Sequence, residues 1–441
     1  MSHTPIFDAV MDYSANNYVR CHTPGHSGNA EALRGALSAV TAFDVTEVDG
    51  LDSLYHADNI ILKCEQNAAK LFEAKRTLIS AGGCTLAIQT MIALVYQNGR
   101  KIAVSRNAHR SAVSTFALLD IEPVWLYPQG EVITAQTVED TLNNISDICA
   151  VYLTSPDYYG RLCDIKSISE ICHKHAVPLL VDNAHGSHLG LLKTNLHPIH
   201  LGADLTACSA HKTLPVLTGG AFLNINNEQY IEDAKRLMSI FGSTSPSYLI
   251  MSSLDLCVDW AMNNGKKSFS ELEDKVSELK ATAKKCGVLP DFENVDPVRL
   301  TLLPAKIGLS GIDTAKQLKS RQIVVEYYDD EYVVLILTPF LKPTDFKTID
   351  DAIKALRPVG TAVSKNNIPE FRGAKAVMSP RQAVFSKSEI IPIHMCKGRI
   401  AADIICPCPP GIPAVIPGEE ISEQAVNYLA SRNIDKIRVV K

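Results

Sequence analysis

Residues 202–222 read GADLTACSAHKTLPVLTGGAF, and the placement of one lysine in this stretch decides how the rest of the chain is read. A short apolar run ends at Cys208-Ser209-Ala210, His211 and Lys212 follow beside Thr213, and a loop with Pro215, Gly219 and Gly220 leads into a second apolar run. Lys212 is expected at a strand end among small neutral residues, where burying an ammonium costs several kcal/mol unless the charge is lost or matched. An amine held in that way is a nucleophile able to form a Schiff base. The competing reading is a lysine whose stem packs in the fold while its head reaches solvent past the loop. The flanks favour use. Ser209 and Thr213 offer hydroxyls to a phosphate, His211 offers a ring that stacks or moves protons, and the two glycines permit close backbone approach.

Upstream of this stretch the chain alternates. Strands are predicted at 76–80, 101–105, 122–127, 148–154 and 178–181, and helices at 56–72, 81–97, 109–119, 137–143 and 165–175. Such alternation predicts parallel strands with crossover helices, an α/β fold. In a parallel sheet ligands collect at the carboxyl ends of strands. Polar residues fall there: Asn107 and His109, Ser155 to Tyr159, Asp182 and His185, then His211 and Lys212. Ala81-Gly82-Gly83-Cys84-Thr85 opens a helix directly after a strand, so unpaired amides and the helix dipole are both available to a phosphate. Asp182, delivered by Leu179-Leu180-Val181, reads either as an ion-pair partner for the lysine or as a carboxylate that keeps a pyridine nitrogen protonated.

A length of 441 residues suits two domains. The expected division gives a large domain of residues 1–285 and a smaller C-terminal α+β domain of 286–441. The second begins beyond a charged helix at 265–285 and has strands at 298–303, 323–327 and 332–337. Residues 363–374 are polar and read as a mobile loop, and 406–417 carry too much proline for a helix. A hydrophobic content of 46% with 21% charged residues is ordinary for an enzyme, and a net charge of −5 argues against nucleic acid as a partner. Neither an apolar run of about 18 residues nor a signal-peptide pattern is seen, so the expectation is a cytoplasmic protein without a membrane partner. The 12 cysteines are scattered and read as reduced thiols; Cys406-Pro407-Cys408 has no second pair at metal spacing, so no metal is expected. Asp44, Glu47, Asp49 and Asp52 place four carboxylates within nine positions, either as a solvated loop or as acceptors for a cationic substrate.

Together these stretches give the chain a resemblance to the ornithine, lysine and arginine decarboxylase family of fold-type I pyridoxal-phosphate enzymes, in a compact form without a leading regulatory domain. The resemblance is carried by Thr23-Pro24-Gly25-His26, Arg106-Asn107-Ala108-His109-Arg110-Ser111, Thr154-Ser155-Pro156-Asp157-Tyr158-Tyr159-Gly160 and Val181-Asp182-Asn183-Ala184-His185-Gly186. The lysine stretch also fits, as do Thr244-Ser245-Pro246-Ser247-Tyr248, Pro409-Pro410-Gly411-Ile412-Pro413 and Pro417-Gly418-Glu419.

What the resemblance implies is a large transferase-like domain with a mainly parallel sheet that binds pyridoxal phosphate and decarboxylates arginine, lysine or ornithine. It implies that Lys212 holds the cofactor as an imine, that Asp182 pairs with the pyridine nitrogen, and that His109 stacks on one ring face while Ala184 packs on the other. His185 is expected near the phenolic oxygen, Ser209 at the phosphate with Gly82, Gly83 and Cys84, and His211 beside it. The site is expected at the interface of a homodimer or higher homo-oligomer, with Ser245 serving the neighbour's phosphate. For the substrate's distal cation the candidates are Glu47 and Glu419, with Asp403 behind them.

The chain departs from the family's pattern at Gly83 and Cys84, where hydroxyls are usual, and at Ser27, Gly219 and Cys408, where lysine, glutamine and tyrosine are usual. Two further readings stay open: an aminotransferase or other lyase, and a non-catalytic, cofactor-binding relative that acts through its dimer surface, which the lost hydroxyls at Gly83 and Cys84 suit.

Overall fold

The computed structural model describes residues 3–97, 100–358, 374–406 and 412–441. Residues 363–373 of the expected loop and Pro407 to Gly411 of the proline-rich stretch, with Cys408, lie outside the described residues. Helix α1 (Pro5–Ala15) comes first, and α2 (Ile60–Phe72) begins the regular part of the fold. Then follow β1 (Arg76–Ser80), α3 (Gly83–Val95), β2 (Lys101–Ser105), α4 (Arg110–Leu119), β3 (Pro123–Leu126), α5 (Ala135–Asn144), β4 (Ile148–Thr154), α6 (Ile165–Lys174) and β5 (Leu179–Asp182). Strand β6 (Leu205–Cys208) leads through the single-turn helix α7 (Ala210–Thr213) to β7 (Ala221–Ile225). Next come α8 (Ile231–Phe241) and α9 (Tyr248–Trp260), which continues through a π-helical turn at Ala261–Gly265 into α10 (Lys266–Lys285). The chain ends with β8 (Arg299–Leu302), α11 (Gly311–Ser320), β9 (Tyr327–Tyr328), β10 (Val333–Ile336), α12 (Pro343–Lys354), α13 (Pro380–Phe385), β11 (Ser388–Pro392), α14 (Glu423–Ser431) and β12 (Lys436–Val440).

Seven strands form one sheet in the order β1-β7-β6-β5-β4-β2-β3. The pairs β2–β3, β2–β4 and β5–β6 are parallel, as alternation with helices predicts. Strand β7 runs antiparallel to both β1 and β6. The reason is the connection: only the short α7 and a loop separate β6 from β7, too little chain for a crossover. The strand expected at 323–327 shrinks to Tyr327–Tyr328 because the residues before it close α11. Gln322 adopts φ 62° and the Ile323 N–H donates to the Leu318 carbonyl at 3.0 Å.

The chain separates into two compact units, one of Met1–Val95 with Leu180–Ser270 and one of Tyr96–Leu179 with Glu271–Lys441. In the first, Ile6 and Val10 of α1, Ile61, Cys64 and Ala68 of α2, Phe222 of β7, and Tyr248 and Met251 of α9 form a buried apolar cluster. Helix α1 is docked by a borrowed cap: Asp255 of α9 accepts from the Ile6 and Phe7 amides at 2.7 and 3.0 Å, which satisfies first-turn donors that the helix itself leaves open. Buried Glu65 meets Arg76 at 2.8 Å and Lys235 at 2.5 Å, tying α2, β1 and α8 together. The second unit holds β4, β2 and β3, a sheet in the order β8-β10-β9, and the β11–β12 pair over a core that includes Ile393, Cys396, Val415, Leu429 and Val439.

Candidate active site

Strands β5 and β6 end side by side, with Asp182 opposite Ala207 in register. Asp182 is only 1% exposed, and its Oδ1 accepts from the Ala184 amide at 3.1 Å. The chain then turns tightly, the Gly186 amide reaching the Asn183 carbonyl at 2.9 Å, and the turn carries His185, itself 6% exposed. Lys212 lies in α7, one turn past the strand end at which it was expected. Its Nζ lies 3.0 Å from His185 Nε2. An ammonium can only donate, so this nitrogen of a neutral imidazole accepts. The loop that returns to β7 needs glycine at Gly220, where an added Cβ would come within 2.3 Å of Val216 Cγ1.

A second set of groups joins the start of α3 to this lysine turn. The Gly83 amide donates to the Gly219 carbonyl at 2.8 Å, the Gly219 amide donates to His211 Nδ1 at 3.4 Å, and Ser209 Oγ lies 3.4 Å from the same nitrogen. Gly83 adopts φ 72°, and a Cβ built there would meet nothing nearer than the Gly219 carbonyl at 3.9 Å. The Gly83 amide is thus already used, and the amides that follow it in the first turn of α3 have no carbonyl of their own helix to reach. Thr213 Oγ1 is buried with no hydrogen-bond partner among the described residues. Burial first, and then the Asp182 carboxylate, push the Cys84 thiol well above the usual thiol range while Lys212 opposes the shift, so Cys84 lies in the electrostatic field of both. An amine, a buried carboxylate, an imidazole and an anion-receptive helix start in one unit are the donor set that pyridoxal phosphate requires, and the unpartnered Thr213 hydroxyl supports that fit.

Other expected residues lie elsewhere. His109 belongs to the second unit, where it caps α4 with Nδ1 3.2 Å from the Ser111 amide. Ser245 is exposed, and its amide donates to Ser243 Oγ at 3.1 Å. The acidic loop is partly taken up by structure: Asp52 caps α2 through the Asn59 and Ile61 amides at 2.9 and 2.8 Å, and Asp44 meets His26 at 3.1 Å. Glu47 is exposed and accepts from the Leu54 amide at 3.2 Å. Asp403 is exposed. Glu419 is buried beside Arg106 at 3.5 Å and accepts from the Ile416 amide at 2.9 Å; burial raises its carboxyl above the ordinary range, against the pull of Arg106 and that amide.

Two residues within the quoted motifs had no role assigned from sequence. Arg106 donates to the Pro413 and Ala414 carbonyls at 2.7 and 3.1 Å and lies 5.3 Å from the Trp125 ring centroid. Asn183, fully buried, closes the turn that carries His185. Burial was the missing signal, since neither residue type marks itself as buried.

Known proteins were compared with this chain. The major domain of the Orn/Lys/Arg decarboxylases matches residues 4–301, and their C-terminal domain matches 366–436. An arginine decarboxylase of Halalkalibacterium halodurans is 31% identical, over 98% of this chain and 93% of its own length. One of Bacillus subtilis is 28% identical, over 98% of this chain and 94% of its own. Among solved structures, lysine decarboxylase A from Pseudomonas aeruginosa superposes with a TM-score of 0.81 at 16% identity, covering 99% of this chain and 80% of that one. The fold is thus that of the fold-type I pyridoxal-phosphate decarboxylases, with a largely parallel central sheet and a C-terminal domain. On these matches, which run along nearly its whole length, the chain belongs to the Orn/Lys/Arg decarboxylase family.

Proposed function

We propose that this chain binds pyridoxal phosphate through Lys212 and removes carbon dioxide from a basic amino acid, arginine before lysine or ornithine. The observation that carries the reading is Lys212 Nζ at 3.0 Å from His185 Nε2, with Asp182 buried at the neighbouring strand end. Arginine is placed first because the arginine decarboxylases of H. halodurans and B. subtilis align over 98% of the chain. By contrast, the constitutive lysine decarboxylase of Escherichia coli is 21% identical and is covered over 76% of its length.

When bound, the cofactor supplies an aldehyde for an amine and a ring that takes up the electron pair left as carbon dioxide departs. The residues provide the rest. Lys212 is the nucleophilic amine, and His185 takes a proton from it and returns it. Asp182 holds a proton on the ring nitrogen, and the first turn of α3, Ser209 and Thr213 hold the phosphate, with His211 bracing Gly219. Ala184 and His109 are assigned to the ring faces. The reading keeps residues 1–285 as the cofactor-binding domain and 286–441 as the small one. It also takes the protein as a cytoplasmic homodimer in which Ser245 serves the partner's phosphate, a point resting on sequence alone.

The test is direct. Purified protein supplied with pyridoxal phosphate should show the absorbance of a lysine-bound cofactor and release amine and carbon dioxide from arginine in preference to lysine and ornithine. Conversion of the cofactor to its amine form without carbon dioxide would favour an aminotransferase, and lysine-bound absorbance without turnover of any amino acid would favour a non-catalytic, cofactor-binding relative. Glu47→Gln should raise KM for arginine several-fold with little change in kcat, and leave a neutral analogue unaffected. Equal losses for both would remove Glu47 from the substrate site.

A further inference from the structure

The turn between Asp182 and Gly186 is held by a side chain that has no part in the chemistry above. Asn183 is fully buried, and its Nδ2 donates to the Gly186 carbonyl at 3.1 Å and to Cys208 Sγ at 3.3 Å. The backbone repeats the closure, since the Gly186 amide donates to the Asn183 carbonyl at 2.9 Å and the Asn183 amide to the Ala207 carbonyl at 2.9 Å. Cys208 is itself fixed. Asn224 Nδ2 donates to its sulfur at 3.5 Å, His197 Nε2 lies at 3.4 Å, and Asn224 Oδ1 accepts from Thr77 Oγ1 at 2.8 Å. Burial pushes the Cys208 thiol up to about 12, so the sulfur stays a neutral anchor and not a nucleophile. A polar chain thus crosses β1, β7 and β6 and ends on the one turn that presents Ala184 and His185.

We propose that Asn183 is a positioning residue: by hooking Gly186 and Cys208 it fixes the turn so that His185 Nε2 stays in reach of Lys212 Nζ. The 3.0 Å contact between those two side chains is made from opposite sides, His185 from the turn and Lys212 from α7. Neither side chain is held in register by its own short element. Lys212 sits on a helix of four residues, and His185 sits on a turn whose amide and carbonyl closures both run through Asn183. Removing the Asn183 amide leaves the Gly186 carbonyl without its side-chain donor in a buried place, so the turn opens and His185 drifts. This inference rests on the reading of Lys212 as the cofactor's lysine.

The experiment is a double-mutant cycle between Asn183→Ala and His185→Gln, read as the rate at which Lys212 captures pyridoxal phosphate, followed by absorbance. In the His185 background Asn183→Ala should slow capture roughly tenfold; in the His185→Gln background it should slow it less than twofold, because the residue acts through His185. Equal factors in the two backgrounds would overturn the proposal. A second arm needs no cofactor: amide hydrogen exchange at Ala184 and Gly186 in the unloaded protein should quicken at least tenfold in Asn183→Ala while α2 and α9 stay protected. Unchanged exchange in the turn would overturn the proposal, and faster exchange throughout would do so by showing general unfolding. If wild-type protein captures no cofactor at Lys212, the functional reading falls, and the exchange arm alone decides whether Asn183 holds the turn.

Discussion

Lys212 and Arg106 both follow a sheet strand, both stand inside stretches that carry the family resemblance, and their surroundings treat them in different ways. Arg106 follows β2 directly and gives its two terminal nitrogens to the Pro413 and Ala414 carbonyls and the Glu419 carboxylate, its plane close to the Trp125 ring. Those two terminal nitrogens hold the segment that ends at Glu419. Lys212 instead faces an imidazole nitrogen at 3.0 Å, a partner that carries no opposite charge. On the proposed function, the difference separates a brace from a reagent. Carbonyls and a carboxylate lock a cation in its charged form, whereas a neutral base leaves the proton free to move.

The largest effect should come from Lys212→Ala, which is expected to remove lysine-bound cofactor absorbance and turnover together. A borohydride-reducible cofactor in that variant would place the nucleophile elsewhere and undo the comparison. Next, Asp182→Asn should lower turnover by roughly 100- to 1,000-fold while the melting temperature stays near wild type, because an amide of the same shape keeps the Ala184 contact but cannot hold a proton on the ring. Near-normal turnover would mean that the buried acid is structural.

Arg106→Met tests the other half. It should cost about 3–5 kcal/mol in urea denaturation, since it strands Glu419 in a buried site, and Arg106→Met with Glu419→Gln should recover much of the loss. Unchanged stability with abolished turnover would make Arg106 a reagent after all. The smallest effect concerns Asp255. Burial pushes its carboxyl up from 3.8 to about 6, Asp8 adding to the shift and the Ile6 and Phe7 amides and the Cys64 thiol opposing it. Because the folded value lies above the unfolded one, the protonated form favours the fold. That contribution is complete below about pH 4 and is lost as pH rises through about 6, a change on the order of 3 kcal/mol. Asp255→Asn should therefore flatten the fall in melting temperature across this window, and a profile identical to wild type would assign that fall to other groups.

Much of the first unit's chemistry was legible because the groups are close in sequence to the strand ends that deliver them. Asp182, His185 and Lys212 follow short apolar runs, and the period of those runs gave the strands. The antiparallel direction of β7 was not legible, since it depends on the length of a connection and not on any residue in the strand. Partnership across long sequence separations was equally hidden. Glu419 reads as a candidate acceptor for a substrate cation, and the Arg106 beside it, 313 residues away, is not foreseen. Asp52 reads as a solvated loop acid or an acceptor for a cationic substrate, and its hold on the α2 amides appears only in the fold. In each case the sequence shows the charge, and only packing shows what neutralises it.

The thiol at Cys84 has a practical side. Held neutral by burial and by the Asp182 carboxylate, it is a poor target for alkylating reagents, although it stands at the helix start that faces the lysine. Cys21, by contrast, is the exposed cysteine among the described residues. A maleimide dye added without denaturant should therefore settle on the segment after α1 and spare Cys84, giving a fluorescent reporter for cofactor loading.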